Sequence, residues 1–482
     1  MLRDRSRARP RTHPVLSLAP FALAFGALLL LPGVALAQRR PFPQNGGYTY
    51  GFLPNTVGAK DALASYRAWK AKYLKSDCGG GTYRVEFTSP RGSTVSEGQG
   101  YGMVLTAYFG DRTEFDGLWK FAQKNFAKEH GLMGWKVSCT GFFKDEGGSG
   151  SATDGDNDIG LALVAAVDQW GEEYRQPAME YLAKLKKVDF EACEKTGRVM
   201  AKAGDWGDGC EFSNTSYWMP GYYRVFAQFT GDSFWKKAAD DAVELYLISR
   251  NPVTGLAPNE VDEHGAPHDN QTYVDYNGAR TPWRLATEYA WYGTPGAKDA
   301  LDKMTDWAES VGIAKLVDGY HIDGRPRGQY TMQNPWIGGW ACGAVAKSQY
   351  AANRFGAAFK AIDDDEGGYY GSSLRSLYLL FLSGNFWRPL SPLPAHAGVG
   401  SAPAGADATA SVTTADSAAP GASAPSGGTA APSGPPPTSM PAGCGGCGCA
   451  SNGRSGASGA AVAVLAALAL RRRKPRDPGG AA

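Results

Sequence analysis

Residues 108–119, YFGDRTEFDGLW, end one aromatic-rich run, turn at Gly110 and open another run at Phe115. Glycine after an aromatic end marks a helix C-terminus, because it takes the left-handed conformation there without a Cβ penalty. The pattern returns at 169–182 (QWGEEYRQPAMEYL), 229–238 (FTGDSFWKKA), 291–301 (WYGTPGAKDAL) and 382–387 (LSGNFW). Between the turns Ile159, Ala162, Leu163, Ala166, Val167 and Trp170 follow helical i, i+3, i+4, i+7 spacing. Similar stripes run through Phe115–Phe126, Tyr174–Leu185, Phe234–Leu247, Trp283–Trp291 and Leu374–Leu382. Strand-like alternation is confined to Tyr83–Thr88 and Tyr320–Ile322. The fold class is therefore all-α, built of helical hairpins stacked side by side. A solenoid and a closed ring both satisfy the repeat; roughly twelve helices in about 350 residues make a closed α/α toroid the expectation.

Outside this body the composition changes. Five arginines (Arg3 to Arg11) precede an apolar run from about Val15 to Leu31, which ends in the small-x-small triplet Ala35-Leu36-Ala37. That is the pattern of a secretory signal peptide over 1–37, with a mature chain starting near Gln38. Residues 391–443 are almost only Ala, Pro, Ser, Gly and Thr. Such a segment cannot bury enough apolar surface to offset its ordering and is expected to be a disordered linker. Residues 444–482 hold Cys444, Cys447 and Cys449, an apolar run from about Ala457 to Leu470, and a basic end (Arg471, Arg472, Arg473, Lys474, Arg476). The run is short for a bilayer span of about 17–25 residues, yet its basic flank fits a C-terminal stop-transfer segment. A small zinc knuckle is the other reading of the cysteines, and it lacks a second ligand pair.

The whole chain carries a formal +2; residues 1–37 carry +4 and residues 451–482 carry +5, which leaves −7 for residues 38–450. A mildly acidic body argues against nucleic acid or an acidic polymer as its ligand. Residues 38–390 have no internal linker and are expected to form one catalytic domain, monomeric, without metal or cofactor. Cys78, Cys139, Cys193, Cys210 and Cys342 make an odd count there. One or two disulfides are expected, Cys193–Cys210 being the nearest pair, with Cys342 a buried helix cysteine.

Two carboxylate segments stand out. Glu97 lies in TVSEGQGYGM, residues 94–103, among glycines that let a ligand approach the backbone. Desolvated beside Tyr101 and Met103, its pKa would rise as a general acid requires. A capping Glu at a helix start is the plainer alternative. Asp154, Asp156 and Asp158 lie in SATDGDND, residues 151–158, directly before an amphipathic run. Helix N-termini hold carboxylates ionised, which suits an anionic stabiliser or base. An N-cap and a calcium loop are the alternatives, although no Glu closes the loop where an EF-hand needs one. Trp135, Trp206, Tyr217, Trp218, Tyr222, Tyr223, Trp283, Tyr369 and Tyr370 include core fillers and rings able to stack on sugars.

These residues resemble glycoside hydrolase family 8. SEGQGYGM matches the acid motif of that family, and SATDGDNDIGLAL its D-x-D signature, with Gly160 where Ala is usual. GLMGW, GDWGDG, SYWMPGYYRVFAQFTGD, ARTPWRLATEYAWYG, DGYHIDG and GGYYGSSLR follow in the family's order. The resemblance implies an (α/α)6 barrel and inverting endo-hydrolysis of a β-1,4-linked polysaccharide: a cellulase-type endoglucanase first, with chitosan, mixed-linkage glucan or xylan as the alternatives. It places Glu97 as proton donor and Asp154 as the carboxylate that binds and distorts the sugar. Arg280 falls on an active-centre arginine, and Trp135, Asp156, Trp206, Tyr217, Asn277 and Tyr370 are substrate-binding candidates. The tail resembles the MYXO-CTERM sorting signal of myxobacterial surface proteins, which implies a secreted protein held at the cell surface through a membrane segment.

One position departs from the family. Where many members carry an Asp general base, this chain has Asn277, in VDYNGAR, residues 274–280. An inverting enzyme needs a base about 6.5–9.5 Å from its acid. The loop Glu260–Asp275 offers Glu260, Asp262, Glu263, Asp269 and Asp275. Asp275 is placed first and Asp269 second, because an extended segment would aim Asp275 the same way as Asn277; Asp154 or Asp156 stands in reserve. Two other classes remain open at this stage: a non-catalytic surface carbohydrate-binding protein that has lost its base, and a polysaccharide lyase on a related toroid.

Overall fold

The computed structural model describes residues 38–393 apart from Ser89 and Arg91. Twelve α-helices lie among the described residues: α1 Ala59–Tyr73, α2 Ser96–Phe109, α3 Arg112–Lys124, α4 Thr153–Gln169, α5 Arg175–Asp189, α6 Pro220–Thr230, α7 Ser233–Ser249, α8 Thr281–Tyr292, α9 Pro295–Val311, α10 Asn334–Ala344, α11 Gln349–Lys360 and α12 Gly368–Leu382. They alternate between two kinds. Every residue of α2 and of α10 is buried, whereas α3 buries only Phe115, Gly117, Leu118, Phe121 and Ala122. A helix apolar or small all round belongs inside, and one with a single apolar stripe belongs on the rim.

The packing closes a ring. α2 packs on α4, α4 on α6, α6 on α8, α8 on α10, α10 on α12, and α12 returns to α2. Outside it, α3 backs α2, α5 backs α4, α7 backs α6, α9 backs α8, α11 backs α10, and α1 backs α12. Of the two arrangements compatible with the repeat, the chain adopts the closed (α/α)6 barrel. The turn glycines Gly110, Gly231 and Gly293 sit at φ 81°, 73° and 69°, the left-handed region anticipated for them.

The tightest inner contact joins α2 and α4, and small residues permit it. A Cβ on Gly155 would stand 2.4 Å from the Ser96 carbonyl carbon, and one on Gly100 2.8 Å from the Gly155 oxygen. Any side chain there would push the two helix starts apart, and those starts carry Glu97 and Asp154.

Short strands dress the end where the inner helices begin. Thr94–Val95 pairs with Lys136–Ser138, Ser213–Asn214 with Glu260–Val261, and Tyr273–Val274 with Tyr320–His321, all antiparallel. Within Tyr83–Thr88 only Arg84–Val85 is a strand, and Tyr320–Ile322 shortens to Tyr320–His321. At the opposite end residues 38–52 run beneath the barrel and meet carbonyls at the C-terminal ends of the inner helices. Gln38 Nε2 donates to Gly110 O at 2.7 Å, Arg39 N to Gln169 O at 3.0 Å, Tyr48 Oη to Phe381 O at 2.7 Å and Phe52 N to Val345 O at 2.8 Å.

Disulfides join Cys78 to Cys139 and Cys193 to Cys210, and Cys342 is free and buried in α10. The signal peptide, the linker and the C-terminal anchor read from the sequence lie outside the described residues.

Candidate active site

The starts of α2, α4, α8 and α12 meet in one buried cluster. Ser96 opens α2 and Thr153 opens α4, so Glu97 and Asp154 are each the second residue of their helix, and neither is an N-cap. Arg280 is the N-cap residue of α8. Tyr369 and Tyr370 lie in the first turn of α12, and Tyr217 precedes α6.

Arg280 ties these starts together. Its Nη1 donates to Asp154 Oδ2 at 2.7 Å, to Glu97 Oε2 at 2.8 Å and to Tyr101 Oη at 3.0 Å; its Nη2 donates to Ser216 Oγ at 3.0 Å. Glu97, Asp154 and Arg280 are all buried. One guanidinium thus faces two carboxyl groups, and a single nitrogen with two hydrogens faces three acceptors. A buried excess negative charge is costly, so the cluster favours one proton on the carboxyl pair.

Glu97 is where that proton belongs. Burial lifts its pKa to about 7; Arg280 opposes the rise, and the nearby Asp154 adds to it. Tyr369 Oη lies 3.3 Å from its second oxygen. Asp154 has only donors around it: Oδ2 takes Arg280, and Oδ1 takes the Gly155 backbone N–H at 2.8 Å. Both of these contacts donate to Asp154, the pattern that carboxylate oxygens accept.

The remaining acids of 154–158 face elsewhere, because successive even positions along a helix point in different directions. Asp158 forms a fully buried ion pair with Arg284, at 2.8 and 3.0 Å, and Tyr222 Oη accepts from the same guanidinium at 2.8 Å. Asp156 has no exposed surface. It accepts from Tyr181 Oη and from Ala152 N, and burial, with the charge of the equally buried Asp189, pushes its carboxyl well up. Both of its oxygens are engaged there, by Tyr181 and by the backbone at the start of α4. Three aspartates with three separate partners also form no oxygen cage for calcium.

Four of the aromatic candidates are tied by contacts to the segments that carry this cluster. Trp135 is held by Nε1 to Gly147 O at 3.0 Å, and its carbonyl accepts the Ser96 N–H beside Glu97. Trp206 is half-buried on a loop whose Asp205 exchanges hydrogen bonds with Ser151, at 3.0 and 2.8 Å. Tyr217 is half-buried, with the Arg280 guanidinium 5.4 Å from its ring centre. Tyr370 is half-buried and donates to Tyr276 O at 3.0 Å.

The segment around Asn277 differs from the extended run that favoured Asp275. Gly278 N bonds back to Asp275 O at 2.8 Å, so residues 275–278 form a turn, and Asn277 N lies 3.4 Å from Asp275 Oδ1. Asp275 accepts Asn259 Nδ2 at 2.7 Å and Arg327 Nη1 at 3.0 Å, one on each oxygen. Asp269 is exposed, in a left-handed turn residue at φ 50° beside His268. Tyr101, Ser216 and Tyr369 complete the cluster without having been singled out as site residues. Only Tyr101 carried a local signal, four residues after Glu97 on one helix face; Tyr369 lies 272 residues from Glu97 in sequence.

The chain's likenesses agree with this geometry. The family model described as Glycosyl hydrolases family 8 matches residues 41–384. "Endoglucanase 2" of Ruminiclostridium josui is 33% identical over 366 residues, which cover 73% of this chain and 78% of that protein. "Beta-glucanase" of Niallia circulans is 31% identical over 409 residues, covering 75% and 95%. Among solved structures, the apo beta-1,3-1,4-glucanase of Paenibacillus sp. X4 superposes with a TM-score of 0.65 at 28% identity, covering 73% of this chain and 100% of that one. A closed (α/α)6 barrel, a carboxyl pair shared by one buried arginine, and a family match across the described domain lead to one assignment: the chain belongs to glycoside hydrolase family 8.

Proposed function

We propose that this domain hydrolyses internal β-1,4 linkages of a glucan with inversion at the anomeric carbon. The observation that carries the reading is a buried carboxyl pair on one guanidinium: Arg280 Nη1 bridges Glu97 and Asp154, and burial lifts Glu97 to about 7. Glu97 supplies the proton to the departing glycosidic oxygen. Asp154 and Arg280 hold the sugar whose bond breaks, and the Asp154 charge offsets the positive charge that develops on its ring. Trp135, Trp206, Tyr217 and Tyr370 offer ring faces on which pyranoses stack. Names of relatives such as "Endoglucanase 2" and "Beta-glucanase" support glucan and an internal cut. The two disulfides support an oxidising, extracellular setting. In the same reading the C-terminal segment keeps the enzyme at the cell surface.

A panel of carboxymethyl cellulose, barley glucan, xylan and chitosan, read by reducing-end release and by viscosity, tests it. Rapid viscosity loss on a β-glucan is expected. No release from any of the four overturns the reading in favour of a binding protein, and release of unsaturated ends absorbing in the ultraviolet favours a lyase.

A further inference from the structure

Inversion requires a carboxylate that takes a proton from water, and the Asn277 amide does not serve. This inference rests on the hydrolytic reading above. The five acids of the preceding loop separate by their contacts. Asp275 has both oxygens engaged, by Asn259 and Arg327. Asp262 closes its own turn, accepting from His264 N and Ala266 N at 2.9 Å each. Glu263 is buried and accepts from Thr196 Oγ1 at 2.8 Å. Asp269 points from an exposed turn.

Glu260 differs from all four. It lies in the strand Glu260–Val261, in register with Asn214, and Val261 is fully buried in the core. Alternation along a strand turns Glu260 to the opposite face. That ribbon is tied to the catalytic cluster, because Asn214 Oδ1 accepts from Ser216 N and Oγ at 2.9 Å each, and Ser216 Oγ receives Arg280 Nη2. Tyr217 feels both sides: burial raises its phenol first, and Asp154, Glu97 and Glu260 add to that rise while Arg280 opposes it. The Glu260 side chain is half-buried, and among the described residues no hydrogen bond or ion pair reaches its carboxylate. A carboxylate partly withdrawn from water with both oxygens uncommitted is unfavourable in a merely structural place and suits a group that holds water.

We propose that Glu260 is the general base of this enzyme. The attacking water forms its bond to C1 on the face opposite the departing oxygen as the C1–O glycosidic bond breaks. Its surplus proton passes to the Glu260 carboxylate while the Glu97 proton passes to the leaving oxygen; solvent then restores both groups, so one water is consumed per bond. The charged and titratable groups that interact with Glu260 are His268, Asp275, Asp269, Tyr217 and Tyr273. Burial raises its carboxyl most, with Asp275 and Asp269 adding and His268 opposing.

The test compares Glu260→Gln, Asp275→Asn and Asp269→Asn in the full-length protein on a glucan that the unmodified enzyme cleaves. Glu260→Gln is expected to cut kcat by about 10²–10⁴-fold with KM little changed and to erase the acid limb of the pH profile. Azide, replacing the activated water, is expected to restore turnover and yield an α-glycosyl azide. Glu260→Asp, which keeps the carboxylate but withdraws it, is expected to lose less and retain the acid limb, so a folding defect in the amide variant does not hide the answer. Retention of more than a tenth of the activity in Glu260→Gln, or azide product from Asp275→Asn or Asp269→Asn instead, overturns the assignment. If Glu97→Gln is inactive while Glu260→Gln is active, only this assignment fails; if the unmodified enzyme cleaves nothing, the parent reading fails.

Discussion

Arg280 Nη1 stands 2.8 Å from Glu97 Oε2, a contact that bridges 183 residues of sequence and joins the start of α8 to the start of α2. An ion pair in water would lower a carboxyl pKa, yet Glu97 rises to about 7, because burial outweighs the arginine and Asp154 shares the same nitrogen.

Replacing Glu97 by Gln is therefore expected to abolish turnover and spare the fold. General acid assistance is worth roughly 10²–10⁴-fold, and a sugar leaving group depends on it strongly. The amide also removes a buried ionisable group, so the melting temperature at pH 8 should equal or exceed that of the unmodified protein. Circular dichroism melts and reducing-sugar assays check both; high residual activity would return Glu97 to a capping role.

The alkaline limb of kcat/KM should report the loss of the Glu97 proton. With its carboxyl at about 7, activity is full below that pH and falls tenfold per unit above it. In Asp154→Asn the neighbouring charge that raises Glu97 is gone, so the limb should move to lower pH, alongside a severe drop in kcat and partial retention of polymer binding. A limb that stays in place would separate it from Glu97.

The buried pair Asp156 and Asp189 makes a stability prediction with a definite sign. Burial raises both carboxyls, Asp189 to about 6. A carboxyl with a higher pKa folded than unfolded keeps its proton longer in the fold. Its contribution is thus intact below the ordinary range near 4 and is withdrawn as pH rises through 6 and beyond. Asp189→Asn keeps a partner for Ser151 Oγ and removes one of the titrations. Its melting temperature should fall less steeply with pH above 6; parallel curves would contradict the pairing.

The helical hairpins, their turns and the two carboxyl segments were legible in the sequence because each is a local pattern: a 3.6-residue period, a glycine stop, an acid before an apolar run. The ribbons were not, since a two-residue strand has no period to read. The backbone around Asp275 was misread for a nameable reason. The Asn277-Gly278 pair is a turn signal, and reading 274–280 as extended ignored it. Asp156 shares a motif with Asp154 yet faces the barrel wall, a distinction set by helix rotation and by Tyr181 on a neighbouring helix. Tyr369 and Ser216 enter the site from distant parts of the chain, where only the closed ring brings them near Glu97 and Arg280.

Deleting the chain from Gly443 onward is expected to convert a cell-associated enzyme into a released one of unchanged specific activity. The described barrel is complete without that segment, with its own core and both disulfides. Fractionation of cells and medium checks it; activity lost with the tail would mean that the tail packs on the domain.

The central claim is hydrolysis by proton donation from Glu97 with water arriving from the opposite face of the sugar. Proton NMR of freshly released reducing ends on barley glucan or carboxymethyl cellulose, recorded before mutarotation, tests it most directly. The α-anomer is expected first, with the β-anomer growing in afterwards; a β-anomer formed first would mean retention, and would contradict that mechanism.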